Sequence, residues 1–276
     1  MGWLSWVVKK RNGNIRWKLK LAIPEQTSKA GVMGETLLRI AMWSGPRNIS
    51  TALMRSWGNR ADTFVCDEPL YAHYLFVTSR NHPGAGEVIA NGETDWHRVA
   101  EILTRERMEG KRIFYQKHMT HHLLPEIDRS WMGAMTNCFL IRDPAEVILS
   151  YIKKNNDPTV EDTGFVQQAD IFDWVRGYTG AVPPVIDARD VLENPRRTLE
   201  LLCAKIGVPF DEAMLSWPPG PRETDGVWAK YWYEEVINST GFHGYRPSTE
   251  QVPDRLRDVH EECRECYDKL YQHRLH

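Results

Sequence analysis

Residues 37–60 read LLRIAMWSGPRNISTALMRSWGNR, and the reading of the fold starts here. Leu38, Ile40 and Met42 alternate as they do along a buried strand. Ser44-Gly45-Pro46 ends that strand. Ser50-Thr51 then precede a run that places Leu53, Met54 and Trp57 on one helical face. A strand, a tight turn and a helix start together make an anion site. The first N–H groups of a helix have no intrahelical partners, and its aligned dipoles add about half a positive charge there. Arg47 within the turn can fork onto phosphate or sulfate oxygens, and the Ser50 and Thr51 hydroxyls add donors. The stretch is not a GxxxxGK[ST] loop: that spacing is missing, arginine replaces lysine, and Pro46 gives up one N–H. The plainer alternative is an ordinary strand-to-helix turn with a surface arginine.

The 276 residues suffice for one large α/β domain or two small ones. A net charge of −2 argues against a general nucleic-acid binder. Eleven tryptophans are enough for several to line a cleft. No apolar run reaches the ~20 residues that span a bilayer, and the start carries no secretion-signal pattern. Of the five cysteines, Cys66, Cys138 and Cys203 sit in apolar patterns that suit buried thiols. Cys263-Arg264-Glu265-Cys266 is a single CxxC, and His260 is the one neighbour that adds a ligand; a structural zinc site needs about four. The expectation is therefore no metal and a reduced, cytoplasmic protein.

Residues 1–32 carry Lys9, Lys10, Arg11, Arg16, Lys18 and Lys20 against Glu25, with poor hydrophobic periodicity. They read as a basic N-terminal extension before a single domain over 33–276, with Met33 as an alternative start. A basic surface arm or a weakly membrane-attracted segment are the other readings. Downstream, 63–66 is a second strand ending in Asp67-Glu68-Pro69, and a helix spans 70–76. The Gly-, Pro- and Asn-rich stretch 81–92 reads as a mobile loop, and 96–108 as a helix. Residues 111–116 form a third strand that runs into Lys117-His118-Met119-Thr120-His121-His122. A fourth strand, a nearly continuous apolar run, covers 136–141. Arg142 follows it. Asp143 then caps a helix with Pro144 at its first position and Val147, Ile148, Tyr151 and Ile152 on its apolar face. A fifth strand spans 182–188, a helix from Asn194-Pro195 stops at Gly207, and the tail from Trp217 is irregular until a helix from about Pro253. Strands alternating with helices imply a three-layer α/β fold with a mainly parallel central sheet covered on both faces. Such a sheet brings the loop 44–51, the acids Asp67 and Glu68, and Arg142 to one edge. Ser150, eight positions past Arg142, lies two helical turns on, where both can clasp a second phosphate.

Taken together these motifs resemble the PAPS-dependent sulfotransferase family in its bacterial-type form, and the resemblance implies that the three-layer fold is P-loop-like. Residues 45–51 are similar to that family's 5′-phosphosulfate loop, and Arg142-Asp143-Pro144 with Ser150 resembles its 3′-phosphate motif. The segment 190–195 and the helix running to Gly207-Val208-Pro209-Phe210 resemble its third block, so the likeness covers about 37–230. The resemblance implies metal-independent transfer of a sulfuryl group from 3′-phosphoadenosine-5′-phosphosulfate (PAPS) to a hydroxyl or amine of a small-molecule acceptor. The product nucleotide would be adenosine 3′,5′-bisphosphate. It places Arg47, Asn48, Ser50 and Thr51 on the phosphosulfate and Arg142 and Ser150 on the 3′-phosphate. Arg222 falls in a glycine-containing segment that matches the family's basic loop. Two positions depart: Ile49 stands where the family has glycine, and Ala52 replaces an aromatic, leaving Trp57 as a stand-in against adenine.

The general base has several candidates. Some family branches use a glutamate about twenty residues past the loop arginine, and Glu68 is twenty-one past Arg47. Other branches use a histidine after the third strand, where His118 comes first and His121 and His122 blur the match. A catalytically inactive nucleotide-binding domain of the same fold is the competing reading, supported by Ile49 and the blurred histidines. An ATP-dependent small-molecule kinase is a third, opposed by the missing lysine and magnesium carboxylate. Acceptor choice is expected to rest on the loops 81–95 and 155–170.

Overall fold

Side chains along the first buried strand alternate between two hydrophobic clusters, Ile40 and Met42 in one and Ala41 and Trp43 in the other. A strand buried on both faces has to be apolar throughout, which is why this one reads so clearly in the sequence. The computed structural model describes residues 3–11, 14–22, 37–153 and 157–276, with 3–11 and 14–22 described by their backbone pairing. The chain divides into two units, 1–36 and 37–276.

In the first unit β1 (Trp3–Arg11) pairs antiparallel with β2 (Asn14–Ala22), Trp3 opposite Ala22 and Arg11 opposite Asn14. The aperiodic extension expected here is thus a hairpin. Its signal was present: Ile15, Trp17, Leu19 and Leu21 alternate with polar residues, and Asn12-Gly13 lies between the strands. Met33 lies outside the described residues.

In the second unit β3 (Leu38–Ser44) leads through α1 (Ser50–Gly58) to β4 (Thr63–Asp67). Helices α2 (Tyr71–Thr78), α3 (Ala85–Asn91) and α4 (Trp96–Arg105) precede β5 (Ile113–Met119). Strand β6 (Thr136–Ile141) feeds α5 (Pro144–Ile152), α6 (Val160–Thr163) and α7 (Phe165–Thr179). After β7 (Val185–Asp187) come α8 (Ala188–Glu193), α9 (Pro195–Lys205), α10 (Ala229–Trp232), α11 (Glu234–Ile237) and α12 (Arg257–Tyr271). The five strands of this unit are all parallel, in the order β4-β5-β3-β6-β7. The sheet grows from β3 in both directions, so its switch point lies at the end of β3.

Helices α1 and α9 supply Leu53, Trp57, Leu199 and Leu202 to the cluster on one face. Helices α7 and α12 supply Phe172, Val175, Cys263 and Leu270 to the other. Trp57 is fully buried and stacks on Tyr115 at 5.4 Å, so it is core and not the adenine partner suggested above. The stretch 81–92, expected as a loop, contains α3 with Val88 in the core. The fifteen-residue α7 occupies sequence expected to include a variable loop; its Phe165, Gln168, Ala169, Phe172 and Val175 keep helical spacing and are buried. All five cysteines are free, and Cys263 packs against the Thr163 hydroxyl at 3.3 Å.

Two contacts shape the edge where the loops gather. A Cβ on Gly45 would come within 2.6 Å of the Thr163 carbonyl oxygen, so the turn after β3 passes α6 too closely for any side chain. Arg55 of α1 makes a bidentate pair with Asp225, at 2.6 and 2.7 Å, and both side chains are buried. Removing one partner of a buried pair strands the other charge and costs roughly 3–5 kcal/mol. Asp225→Ala is expected to lose about that much in urea unfolding, whereas a change near zero would make the pair dispensable.

Candidate functional site

A cleft of about 1410 Å³ opens along the ends of β3, β4, β5 and β6. Residues 46–52 form part of its wall. Arg47 has φ 55° and Glu68 has φ 44°, a left-handed conformation that non-glycine residues seldom adopt. The sharp turn is therefore made at Arg47. Ile49 has φ −75°, which a β-branched residue adopts without strain, so the missing glycine carries no backbone penalty. Ile49 is the N-cap of α1 and makes no side-chain cap, which leaves the first N–H groups of α1 free of one at the cleft.

Arg47 and Arg142 meet at this edge. Arg47 Nε donates to Ser150 Oγ at 3.0 Å, and Arg142 Nη1 donates to the Arg47 carbonyl at 2.7 Å. Arg142 Nε also donates to Glu146 at 3.0 Å, and Tyr245 OH donates to the other oxygen of that carboxylate at 2.6 Å. Burial and the neighbouring Arg142 lower the Arg47 pKa, with Glu235 opposing. Among the described residues Arg47 has no carboxylate at ion-pair distance. Asn48 spends its amide locally: Nδ2 donates to the Leu140 carbonyl at 3.0 Å and Oδ1 accepts from the Ile49 N–H at 3.0 Å.

A second cluster lies after β4 and β5. Lys117 Nζ, almost fully buried, donates to Asp67 at 2.9 Å, to Glu68 at 2.5 Å and to the Tyr233 hydroxyl at 2.8 Å. Burial alone would lower the lysine pKa, but Asp67 and Glu68 outweigh it and hold Lys117 well above the ordinary value. For Glu68 burial and Asp67 raise the carboxyl pKa, Lys117 opposes, and the net shift is upward. His122 stacks on Tyr71 at 4.6 Å and on Tyr74 at 4.7 Å, with Nδ1 3.9 Å from Glu68 Oε2.

Not every candidate reaches the cleft. His118 neighbours Lys117 on β5, and strand alternation turns it to the opposite face. There it stacks on Trp43 at 4.3 Å and contacts Gln116 at 3.1 Å, away from the cleft lining. Arg222 is not among the lining residues either. Its N–H donates to Asp225 and its guanidinium to the Pro218 carbonyl, because the Arg55–Asp225 pair holds this segment against α1. A different glycine-containing stretch, 241–246 with Tyr245 and Arg246, lines the cleft. Arg47, Asn48, Ser50, Thr51, Glu68, Arg142 and Ser150 all line it. In the sequence Lys117 stands only as the neighbour of His118, with no role of its own. Nothing in the sequence pointed to Tyr233, 116 residues from the lysine it touches.

A profile described as "Sulfotransferase domain" matches residues 38–265, and the chain belongs to that family. It is 33% identical over 237 residues to Branched-chain-amino-acid aminotransferase-like protein 1 of Arabidopsis thaliana, and 32% over 238 residues to protein 2 of the same plant. Each alignment takes in 86% of this chain but 42% of the relative, so the chain spans less than half the length of these curated relatives. The Sulfotransferase Domain from the Synechococcus PCC 7002 Olefin Synthase matches in fold, with a TM-score of 0.50 at 17% identity, covering 88% of this chain and 98% of that one. The fold is the P-loop-like three-layer α/β arrangement expected above, with the five strands of its sheet all parallel. Among the described residues no helix is long and apolar enough to cross a membrane.

Burial pushes the His118 and His121 imidazoles down to about 3 from 6.5, and His122 well below its ordinary value. The folded chain then refuses protons that the unfolded chain accepts, so this stability is present above pH 6.5 and lost as pH falls from there toward 3. Ring-carbon NMR is expected to show no titration of His118 or His121 above about pH 5, two units above the depressed values. Ordinary titration near 6.5 would contradict the burial.

Proposed function

We propose that this protein transfers a sulfuryl group from PAPS to a hydroxyl or amine of a small-molecule acceptor. The observation that carries the reading is the pair of linked cationic clasps on one cleft: Arg47 at the start of α1, and Arg142 with Ser150 on α5. Two cationic side chains on one cleft suit a nucleotide that carries phosphates at both its 5′ and 3′ ends. The donor set fits sulfate and phosphate oxygens: guanidinium forks, hydroxyls and a helix start without a side-chain cap. PAPS supplies the sulfuryl group and leaves as adenosine 3′,5′-bisphosphate.

Arg47, Ser50 and Thr51 would hold the phosphosulfate at the positive end of α1, and Arg142 and Ser150 the 3′-phosphate. Arg47 and the helix dipole would then stabilise charge gathering on the departing phosphate, a term that dominates such transfers. The acceptor would enter on the β4–β5 side, where Glu68 takes its proton as the new bond to sulfur forms. Tyr71, Tyr74, His121 and His122 wall this side with uncharged rings, which favours an acceptor with a flat, apolar body. A nucleotide-binding domain without turnover is the competing reading, and the close hold of Lys117 on Glu68 is the observation that favours it. The aminotransferase-like wording stays with the Arabidopsis relatives, since the chain aligns to 42% of each.

Adenosine 3′,5′-bisphosphate is expected to raise the melting temperature and AMP to raise it much less. An equal rise with ATP and Mg²⁺ would count against the donor assignment. Arg142→Ala deletes charge-assisted hydrogen bonds of about 1.5–3 kcal/mol, so bisphosphate affinity in calorimetry should weaken by about one to two orders of magnitude.

Glu68→Gln keeps the size of the side chain but cannot take a proton. Release of adenosine 3′,5′-bisphosphate in the presence of a panel of phenols, alcohols and amines should slow by about 10²–10⁴ while PAPS affinity holds. Unchanged turnover in this variant would remove Glu68 from the role, and no turnover in the parent with any acceptor would support the inactive domain.

A further inference from the structure

Beneath the cleft one buried ammonium serves two carboxylates. Asp67 and Glu68 are consecutive, and on a regular strand their side chains would point to opposite faces. The left-handed turn at Glu68 breaks that alternation and brings both to Lys117 Nζ, at 2.9 and 2.5 Å. Glu68 lines the cleft, whereas Asp67 lies behind it, buried. Asp67 has further partners of its own. The Tyr233 hydroxyl donates to it at 2.7 Å, and the Gly226 N–H donates at 3.3 Å. The same tyrosine oxygen accepts from Lys117 at 2.8 Å and from Trp228 Nε1 at 3.3 Å.

We propose that Asp67 and Tyr233 are positioning residues that apportion the Lys117 ammonium between the two carboxylates and so set the basicity of Glu68. The proposal rests on the role given to Glu68 above. Two carboxylates and one ammonium leave an excess negative charge in a buried site, so the carboxylates compete for the cation. An Asp67 satisfied by Tyr233 draws less on Lys117, and Glu68 then receives more. Among the described residues, Tyr71 from α2 and His122 from the turn after β5 also face Glu68. Burial keeps both uncharged, raising the tyrosine and lowering the histidine. The balance at Glu68 therefore lies with Asp67, Lys117 and Tyr233.

The two positions carry opposite signs, which a general structural role would not produce. Asp67→Asn removes the competing charge, commits Lys117 to Glu68 and should lower the Glu68 titration midpoint by about one unit or more. Tyr233→Phe removes the donor to Asp67, turns Lys117 toward that aspartate, takes away the hydroxyl's own lowering effect on Glu68, and should raise the Glu68 midpoint. The midpoint is read by carboxyl ¹³C NMR on glutamate-labelled protein, with the Glu68 signal assigned by its absence in Glu68→Gln. The acidic limb of kcat/KM against pH, followed with 2-naphthol as an uncharged acceptor probe, should move in the same two directions. Both substitutions preserve side-chain shape, and if one variant fails to fold the direction seen in the other decides. Midpoints that stay put, or move the same way in both variants, overturn the inference while leaving Glu68 as base. Full turnover in Glu68→Gln overturns the base reading instead, whatever the NMR midpoints do.

Discussion

Ser44 of β3 stands level with Met119 of β5 and with Leu140 of β6, and the cleft depends on that register. Parallel strands that end together deliver their following residues to one edge, so Arg47, Glu68, His122 and Arg142 become neighbours although the chain separates them widely. The edge needs support where the strands part. Gln168 of α7 provides it, donating to the Trp43 carbonyl at 3.1 Å and the Leu140 carbonyl at 2.9 Å. Asn48 shares the second of these carbonyls. Both backbone oxygens thus receive side-chain donors, and the turn carrying Arg47 is tied to β6.

Charge is distributed along this edge in two ways. On the β3–β6 side the guanidiniums of Arg47 and Arg142 crowd each other, with Ser150, a backbone carbonyl and Glu146 as their partners. An anion there gains charge-assisted bonds that the protein itself does not fully supply. On the β4–β5 side Lys117 is held by two carboxylates and a phenol, so its charge is already committed. The cleft thus offers open positive charge at one end and a compensated, ring-walled environment at the other. Under the proposed reaction the open end would take the donor nucleotide and the ring-walled end the acceptor.

Backbone strain falls at two points of the cleft wall. Arg47 and Glu68 are both left-handed without being glycine, and both face the cleft. Such conformations cost on the order of 1–3 kcal/mol each and persist where surrounding contacts over-determine them. For Arg47 those contacts are the Ser150 and Arg142 bonds. For Glu68 they include its N–H to the Lys117 carbonyl at 2.9 Å and its carboxylate to the Lys117 ammonium.

Local pattern was enough for the parallel sheet, the turn after β3, the capped start of α5 and the Arg142–Ser150 spacing. Each depends on periodicity or capping within a dozen residues, and such signals survive in one dimension. The hairpin at the start and α7 were legible too, from an Asn-Gly pair and a helical apolar period, but composition masked them. Tertiary structure alone decided the rest. It decided which face of β5 meets the cleft, so that Lys117 enters it and His118 enters the core. It placed Arg222 outside the cleft, because an ion pair with α1 pins that segment, and brought Tyr233 to Lys117 from 116 residues away. The physical reason is that strand alternation fixes relative facing but not absolute facing, and a contact between distant segments leaves no periodic trace in the sequence of either.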